Sequence, residues 1–398
     1  MNVFLRASSA LVATACSLCA GAADAPPVPA SPAASAGKCA APGPDRAANH
    51  TCAVALAVHA DAERKAGRND GALAAFALAD QFSPEDLRFQ MAGASLRLKL
   101  ANQLTPAGID TASRAAPADI GLTMMHAELA LARKDWLAGI ADLDRVLATR
   151  PAALMGWELR ATANVARPDF DAARGDVDKA LALEPKSAVA LRLRGILRNN
   201  TGDYAGALAD YRAAHALVPR AEDPFVIGST QFLARQFGDA AATLATRAPA
   251  APDGTYWRLW RFMALARLTG IERASGSLGP GTPPGQGSVW PGAVVDFFHA
   301  SIDAATLLDV AKKSQDVRNL SQVCEAHFYL AEDALLRQRG DATALFRKAV
   351  QTCPKNFHEY EGAVAELRAA GVPLSAPGPT LAAAVAASAP ASAASAAR

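Results

Sequence analysis

Neither sign of charge is in excess in this sequence, and long apolar runs are missing after its first residues. Its 398 residues include 40 lysines and arginines and 38 aspartates and glutamates. No basic run is interleaved with aromatic residues, as a nucleic-acid groove would require, and no later apolar stretch is long enough to cross a bilayer. The sequence therefore predicts no nucleic-acid binding and no membrane span beyond the N-terminal segment.

Motifs of known catalytic and metal sites are also missing. The seven histidines form neither HExxH nor a cysteine–histidine metal spacing, and we interpret each of them as a packed or surface residue. No GxSxG surrounds a serine, and no Walker phosphate loop is present. The sequence thus predicts that the protein is not an enzyme and has no catalytic residues, cofactor or metal. An enzyme with its site in residues 255–300 is kept as an alternative.

What the sequence does contain is enough apolar material for a large core, 51% of its residues. Its first segment, residues 1–22, has one arginine before a moderately apolar stretch and ends in Ala20-Gly21-Ala22, a pattern that signal peptidase cleaves. We therefore predict export to the periplasm or to the exterior. The alternatives are a short N-terminal membrane helix and lipidation at Cys16, which would anchor the protein to the outer membrane.

Three residue patterns recur with a period of 33 or 34 residues. An aromatic residue is followed three positions later by a small one, while a second small residue and a proline recur in other registers. The aromatics are Trp136, Phe170, Tyr204 and Phe237; the second small residues are Gly93, Ala127, Ala161, Gly195 and Ser229; the prolines are Pro117, Pro151, Pro185, Pro219 and Pro252. Agreement of three registers over five units indicates a repeat architecture.

Each repeat is predicted to form two helices. Before the aromatic, apolar residues such as Leu193 and Ile196 stand at helical spacing, and the same holds after it, as at Leu208 and Tyr211. Gly202 is predicted to form the turn between the helices, because glycine accepts a positive φ at a helix C-terminus. The closing proline ends the second helix because it cannot continue the hydrogen-bond ladder.

These residues resemble the tetratricopeptide repeat (TPR), which has small residues at these two places, an aromatic at the start of the second helix and a proline at the end. The resemblance implies an all-α fold, a TPR helical-repeat superhelix or α-solenoid over residues 52–254, with about six repeats of which the first is degenerate. One helical pair buries too little apolar surface to be stable alone, so neighbours must stack and form a concave binding face lined by first helices.

The resemblance also predicts which residues line that face. Positions two, five and nine of each first helix do so in TPR proteins, and two arginines lie on the helix that follows the array. The candidate partner groove consists of Met124, Glu128, Met155, Glu158, Thr162, Val189, Arg192, Ile196, Val226, Thr230, Arg258 and Arg261. Its arginines are interpreted either as ordinary surface residues or as contacts for an acidic segment. A carboxylate clamp is disfavoured because Ile196 stands where an asparagine would be needed.

After residue 254 the pattern changes. A Trp-rich helix leads into a Gly/Pro-rich insertion, residues 270–290, which predicts a mobile surface loop with neither helix nor strand. Two short helices follow, divided near Ser301, whose side chain is expected to cap the second. A last TPR-like hairpin is predicted at residues 322–355.

Residues 255–370 contain a Trp-led helical pair, the stretch FYLA in a first helix, ATALF in a second, and NF at the start of the last. In these features they are similar to the NlpI-type envelope lipoproteins. Proteins of that family are helical periplasmic scaffolds, often dimeric, that bring cell-wall hydrolases to a protease or to synthesis complexes. The resemblance implies such a role, and homodimer formation, for this chain.

Four cysteines remain once residues 1–22 are removed, an even number for a compartment that maintains disulfides. Cys324 and Cys353 stand at the start of the first helix and the end of the second helix of the last hairpin. These ends are adjacent in an antiparallel pair, which favours a disulfide over two buried thiols. Cys39 and Cys52 are the second candidate pair, with free thiols equally compatible.

The predicted organisation follows from these patterns. It consists of a signal peptide at 1–22, an N-terminal linker at 23–51, the TPR array at 52–254, a C-terminal helical module at 255–370 and a disordered Ala/Ser/Pro tail at 371–398. We interpret the chain as an exported scaffold or adaptor that binds other envelope proteins, or peptide segments of them, with recruitment of cell-wall hydrolases or a protease as its specific role. The alternative binding role is that of a TPR subunit in a secretion or outer-membrane assembly complex.

Overall fold

The computed structural model describes residue 39 and residues 41–246, 254–283, 286–313 and 319–374. Within these residues all regular structure is helical, with nineteen α-helices and one 3₁₀ helix. The α-helices are α1 (Arg46–Lys65), α2 (Asn69–Phe82), α3 (Leu87–Leu100), α4 (Pro106–Ala115), α5 (Ile120–Ala132), α6 (Trp136–Thr149), α7 (Leu154–Ala166), α8 (Phe170–Leu183), α9 (Ala188–Thr201), α10 (Tyr204–Leu217), α11 (Asp223–Leu233), α12 (Phe237–Leu244), α13 (Gly254–Thr269), α14 (Ile271–Ala274), α15 (Gly292–Phe298), α16 (Ala304–Lys313), α17 (Asn319–Leu336), α18 (Ala342–Thr352) and α19 (His358–Ala369). The signal peptide, Cys16, Pro252 and residues 375–398 of the tail lie outside the described residues.

The helices pair in sequence order, which confirms the prediction of an all-α helical repeat. Among the first eight, α1 packs on α2, α5 on α6 and α7 on α8, while α3 contacts both α2 and α5, and α6 contacts α7. The helices that begin at Trp136, Phe170, Tyr204 and Phe237 start at the predicted aromatics. Among the described residues, no helix combines the length and the apolar character needed to cross a bilayer.

The chain forms two compact units. Of the described residues, unit 1 comprises those up to Leu197 together with Ala213–Pro219, and unit 2 comprises Arg198–Arg212 together with those from Arg220 onward. Helix α1 of unit 1 begins at Arg46, inside the segment that the sequence assigns to the linker. The closing prolines act as predicted, because α4, α6, α8 and α10 each end two residues before one.

Aspartates fix where the second helices begin. Asp135, Asp169 and Asp203 each stand immediately before the aromatic, and their carboxylates accept a hydrogen bond from the backbone N–H three residues later, at 2.9 to 3.3 Å. Such an N-cap pairs one of the N–H groups that the first helical turn leaves without an intrahelical acceptor. Because the aspartate recurs with the repeat, every one of these three helices starts in the same register.

The turn between the two helices requires a left-handed residue. Gly202 has a φ of 89°, which confirms its predicted role. Lys134 and Arg235 occupy the equivalent place in two other repeats, with φ values of 64° and 60°. Side chains other than glycine rarely adopt this conformation, so the packing of the flanking helices imposes the turn there.

The core of unit 1 consists of small and branched side chains from successive helices. Leu87, Met124, Ala127 and Leu143 are among its fully buried members. Alanine and glycine at the crossing points allow helix backbones to approach, as the 34-residue register of small residues predicts. A substitution that adds bulk at these crossings would overpack the core.

The core of unit 2 is aromatic. Trp260 of α13 and Phe328 of α17 are both fully buried and lie stacked, with ring centroids 5.6 Å apart and planes at 22°. The ring of Phe232 meets Trp260 edge-on at 5.3 Å. Aromatic pairs in these offset and edge arrangements stabilise a core beyond their area burial.

The Gly/Pro-rich insertion differs from its prediction. Ser275–Leu278 forms a 3₁₀ helix directly after α14, and Leu278 is fully buried. The buried carboxylate of Asp296 accepts hydrogen bonds from Ser288 and from the backbone and hydroxyl of Thr282, at 2.5 to 2.6 Å. One carboxylate on α15 therefore fixes the insertion at residues 282 and 288. The local sequence does not predict these contacts.

The cap of α16 also differs from its prediction. The carboxylate of Asp303, rather than the Ser301 hydroxyl, accepts the Thr306 N–H at 2.8 Å. Aspartate at this position satisfies the helix start and also complements the positive end of the helix dipole.

Both candidate disulfides are formed. The Cys39–Cys52 bond has a Cα–Cα distance of 5.7 Å, and the Cys324–Cys353 bond has one of 4.8 Å. In the second bond, Cys324 lies in the first part of α17 and Cys353 follows the last residue of α18. This is the arrangement that the antiparallel hairpin predicts. Two disulfides are consistent with an oxidising compartment.

Candidate functional site

Unit 1 contains an open cavity between α2, α3 and the first turn of α5. Its volume is about 270 Å³. Its lining comprises the apolar residues Leu73, Phe76, Ala77, Phe89 and Ile120, the polar residues Asp80, Gln90, Arg97, Asp119 and Arg150, and the glycines Gly93 and Gly121.

Glycines shape this cavity. A Cβ at Gly121 would lie 2.3 Å from the carbonyl oxygen of Gln90, so the start of α5 can approach the α3 backbone only because residue 121 lacks a side chain. Gly93 lies in the wall, where an added Cβ would meet Phe76 and Arg97 atoms only at 3.7 Å. Gly93, a small residue that the repeat pattern places here, therefore leaves the cavity open.

The charges of the lining are balanced. Arg97 pairs with Asp119 at 2.5 Å. Asp80 accepts a hydrogen bond from the Gln90 Nε2 and lies 3.7 Å from a guanidinium nitrogen of Arg150. All four charged side chains are partly exposed, between 26% and 49%, so they screen one another at the rim and stay accessible to an incoming group.

Two buried polar atoms of the lining have no hydrogen-bond partner: Gln90 Oε1 and Arg150 Nε. The orientation of the Gln90 amide is fixed, because its nitrogen must face the acceptor Asp80. Its oxygen is therefore an unused acceptor, and the Arg150 Nε–H is an unused donor. Both atoms are inaccessible to solvent, and leaving such groups unpaired costs about 1–3 kcal/mol each.

The predicted groove residues of unit 1 fall into two groups. Met124, Arg192 and Ile196 are buried, with 0%, 6% and 5% exposure. Arg192 donates to the carbonyls of Val218 and Ala188, so its guanidinium lies against backbone. The residues that offer surface are the half-buried ones, Glu128, Met155, Glu158, Thr162 and Val189.

The predicted groove residues of unit 2 are also largely engaged. Val226 and Thr230 are buried, and the Thr230 hydroxyl accepts from Asn199 at 2.9 Å. Arg258 donates to the Leu278 carbonyl at 2.8 Å, while Arg261 is half-buried. Of the three arginines in the predicted groove, Arg192 and Arg258 donate to backbone carbonyls. Arg261 is therefore the groove arginine left to contact an acidic partner.

Glu128 and His126 are the two titratable side chains of α5. His126 lies between Asp110, 3.6 Å from its Nε2, and Asp142, which contacts its Nδ1. Two helical positions turn the chain by about 200°, so Glu128 points away from this cluster. No ion-pair partner of Glu128 is found among the described residues, and burial raises its pKa to about 7.

A second polar cluster lies in unit 2, partly within the segment of the enzyme alternative. Tyr256 and Trp290 donate to Oε2 of Glu325, at 2.8 and 2.9 Å, and Tyr329 donates to Glu359 at 3.0 Å. Both carboxyl groups are buried, with 1% and 5% exposure. A substrate has no access to groups covered in this way, and the cluster is better explained as a buried hydrogen-bond network.

This cluster makes the stability of unit 2 depend on pH. Burial, followed by the negative charge of Glu359, raises the pKa of Glu325 to about 7. Since the folded state holds the proton more tightly than the unfolded state, the free energy of unfolding should fall as pH rises from about 4.5 to about 7. Glu325→Gln keeps the acceptor oxygen but cannot titrate. We expect it to reduce the loss of unfolding free energy over this pH range by up to about 3 kcal/mol.

The measurement is chemical denaturation of both proteins at pH 5 and pH 8, followed by tryptophan fluorescence. The variant should lose less stability than the wild type between the two pH values. Parallel pH profiles would contradict the raised pKa of Glu325.

Apart from Gly93, which the repeat register marks as a small residue, the cavity residues were not among those that the sequence singled out. Gln90 stands at position five of the first helix in the unit that begins at residue 86, and Gly121 stands at position two of the next unit. Extending the groove count by one repeat would have found Gln90, and including position two of the unit that begins at residue 120 would have found Gly121. Asp80, Arg97 and Arg150 carry no such signal, because they lie near helix ends where charged residues are common.

Comparison with known proteins finds similarity among solved structures. No protein-family model matches the sequence, and no curated protein is a match. A tetratricopeptide repeat protein from Parabacteroides merdae is 15% identical, the match covering 56% of this chain and 90% of that one with a TM-score of 0.37. A thermophilic TPR protein in Thermus thermophilus is 19% identical, the match covering 54% of this chain and 98% of that one with a TM-score of 0.29. Values this low carry nothing about function, and the helical-repeat fold of this chain rests on its own helix pairs.

Proposed function

We propose that this chain is an exported scaffold that binds polypeptide segments of other envelope proteins. The observation that carries the proposal is the cavity of unit 1, where apolar side chains and two partly exposed ion pairs line a space between repeated helices. Repeat arrays present such surfaces to partners, and pockets of this kind anchor side chains. The two disulfides and the cleavage pattern at Ala20-Gly21-Ala22 support the oxidising compartment.

Within this role we propose recruitment of cell-wall hydrolases, or of a protease, to their sites of action. The support is the resemblance of residues 255–370 to the NlpI-type lipoproteins. Homodimer formation belongs to the same proposal.

Photo-crosslinking in intact cells tests the proposal. A crosslinking amino acid in place of Met155 or Thr162 should capture the same envelope protein, because both residues are half-buried on first helix α7. Leu137, 66% exposed on second helix α6, is the matched control position. We expect partner capture at the first two positions and not at the third.

Two results would overturn the proposal. One is equal capture at all three positions, which would indicate surface stickiness rather than a binding face. The other is Met1 retained on the protein from cells, since a processed chain should begin at Ala23. Capture of membrane-embedded partners would favour the secretion or outer-membrane assembly role instead.

A further inference from the structure

One carboxylate of the predicted groove in unit 1 is left without a partner. Of the five groove residues that offer surface there, Glu128 and Glu158 are the charged ones. Glu158 accepts a hydrogen bond from the Ser187 hydroxyl. Glu128 makes no hydrogen bond and no ion pair with any residue that the structure describes. It is therefore the charged group of this surface that a ligand can pair.

A partner can reach this carboxylate. Glu128 is half-buried, and its carboxylate oxygens are not among the enclosed unpaired atoms of the described residues. In this it differs from Gln90 Oε1 and Arg150 Nε, which solvent does not reach. Burial of the side chain raises the pKa of Glu128 to about 7, so the carboxylate is ionised at pH 8 and open to an incoming group.

The other groove residues that offer surface on the neighbouring first helices are mostly uncharged. Met155 and Thr162 of α7 and Val189 of α9 are half-buried. A partner segment that lies across these helices therefore packs apolar side chains on Met155 and Val189 and comes close to Glu128. Lysine and arginine suit such a surface because their aliphatic stems cover apolar groups while the charged end reaches an acceptor.

The charge of Glu128 selects among partner segments. A segment that covers this face removes water from the carboxylate, and an apolar segment would leave it unpaired. An acidic segment would add repulsion. The groove arginine of unit 1, Arg192, does not supply the missing charge, because it is buried and donates to the carbonyls of Val218 and Ala188. A cationic side chain supplies both the opposite charge and the N–H donors.

We infer that Glu128 binds the cationic end of a lysine or arginine in a partner polypeptide that lies across the first helices α5, α7 and α9. The inference rests on the proposed function for the source of the ligand, since a bound polypeptide has to present that side chain. It also states what the partner segment must contain: a basic residue flanked by apolar residues.

Capped tripeptides test the inference on the full mature chain at pH 8. The probes are acetyl-Leu-Lys-Leu N-methylamide and the same peptide with arginine, norleucine or glutamate at the centre, and NMR titration measures their affinities. We expect the lysine and arginine peptides to bind about tenfold more tightly than the norleucine peptide, the effect of one charge-assisted hydrogen bond. The glutamate peptide should bind most weakly. Equal affinities for the lysine and norleucine peptides would overturn the inference.

Two variants locate the binding. Glu128→Gln keeps the shape of the side chain and removes its charge, so the preference for lysine over norleucine should disappear. Asp171→Asn makes the same change in net charge on α8, where the Asp171 side chain is 96% exposed, and should keep the preference. A tenfold preference that survives in Glu128→Gln would overturn the inference. Circular dichroism verifies that each variant has folded, and the peptide series on the unchanged chain is decisive without them.

Failure of this inference is distinguishable from failure of the proposed function. If the lysine peptide shows no preference while crosslinking at Met155 persists, the inference is overturned and the scaffold role stands. If the lysine peptide binds as expected while no partner is captured in cells, the assignment of Glu128 stands and the scaffold role does not.

Discussion

Replacing Arg267 by methionine should lower the free energy of unfolding of unit 2 by about 3–5 kcal/mol. Arg267 lies between two buried carboxylates, 2.8 Å from Glu332 and 3.0 Å from Glu366. Its own side chain is 10% exposed, and those of its partners are 0% and 8% exposed. Removing the shared cation leaves buried Glu332 without its ion-pair partner beside Glu366, which keeps only Arg235 at 3.4 Å. That loss is far more costly than losing a surface ion pair.

The effect should also depend on pH in a defined direction. Burial already raises the pKa of Glu332 to about 7 against the attraction of Arg267. Without the arginine that pKa rises further, so the folded variant binds protons that the unfolded chain releases. The loss of stability should therefore be larger at pH 8 than at pH 5.

Denaturation at both pH values measures the effect, and hydrogen exchange assigns it to unit 2. The control is Arg174→Ala in unit 1, where the pair with Asp171 is 3.4 Å long and both side chains are at least half exposed. That change should cost less than about 1 kcal/mol. A similarly small loss for Arg267→Met at pH 8 would show that the network does not hold unit 2 together.

Replacing both Cys324 and Cys353 by alanine should destabilise unit 2 by about 3–4 kcal/mol. The bond closes a loop of 29 residues that contains α17 from Cys324 onward and all of α18. Opening this loop returns conformational freedom to the unfolded chain, and that gain accounts for the size of the effect in the chain-entropy model. Both cysteines are buried, so alanine leaves little new polar surface.

The double substitution at Cys39 and Cys52 is the matched control. It opens a loop of 13 residues in unit 1, next to the small cluster of Leu56, Phe82 and Phe89. Hydrogen exchange should show faster opening of α17 and α18 only in the Cys324/Cys353 variant. Unchanged exchange in those two helices would contradict the clamp assigned to this bond.

The candidate site was less predictable from sequence than the fold. A cavity needs gaps between three helices, and the sequence pattern reports only which residues recur, not how large the gaps are. Met124 and Arg192 stand at groove positions by count, yet packing buries them. Gln90 stands at such a position too, and its neighbour Gly93 keeps it beside open space.

Buried charge was the other feature that sequence reasoning missed. Nothing in the sequence distinguishes Glu325, Glu332 and Glu359 from helix-surface acids, because glutamate is common on helices and is rarely buried. They are buried because aromatic and arginine side chains distant along the chain supply their partners. Tyr256 reaches Glu325 across 69 residues, and Arg267 reaches Glu332 across 65.

The sequence by itself determined the helical repeat, the period of its units, the turn at Gly202 and the pairing of Cys324 with Cys353. These depend on local propensity and on spacing along the chain, which a single sequence records directly. Only the tertiary structure decided the cavity of unit 1, the ordering of the insertion by Asp296 and the burial of the acids in unit 2. Those features depend on distances between side chains from separate helices, and such distances are set when the helices pack.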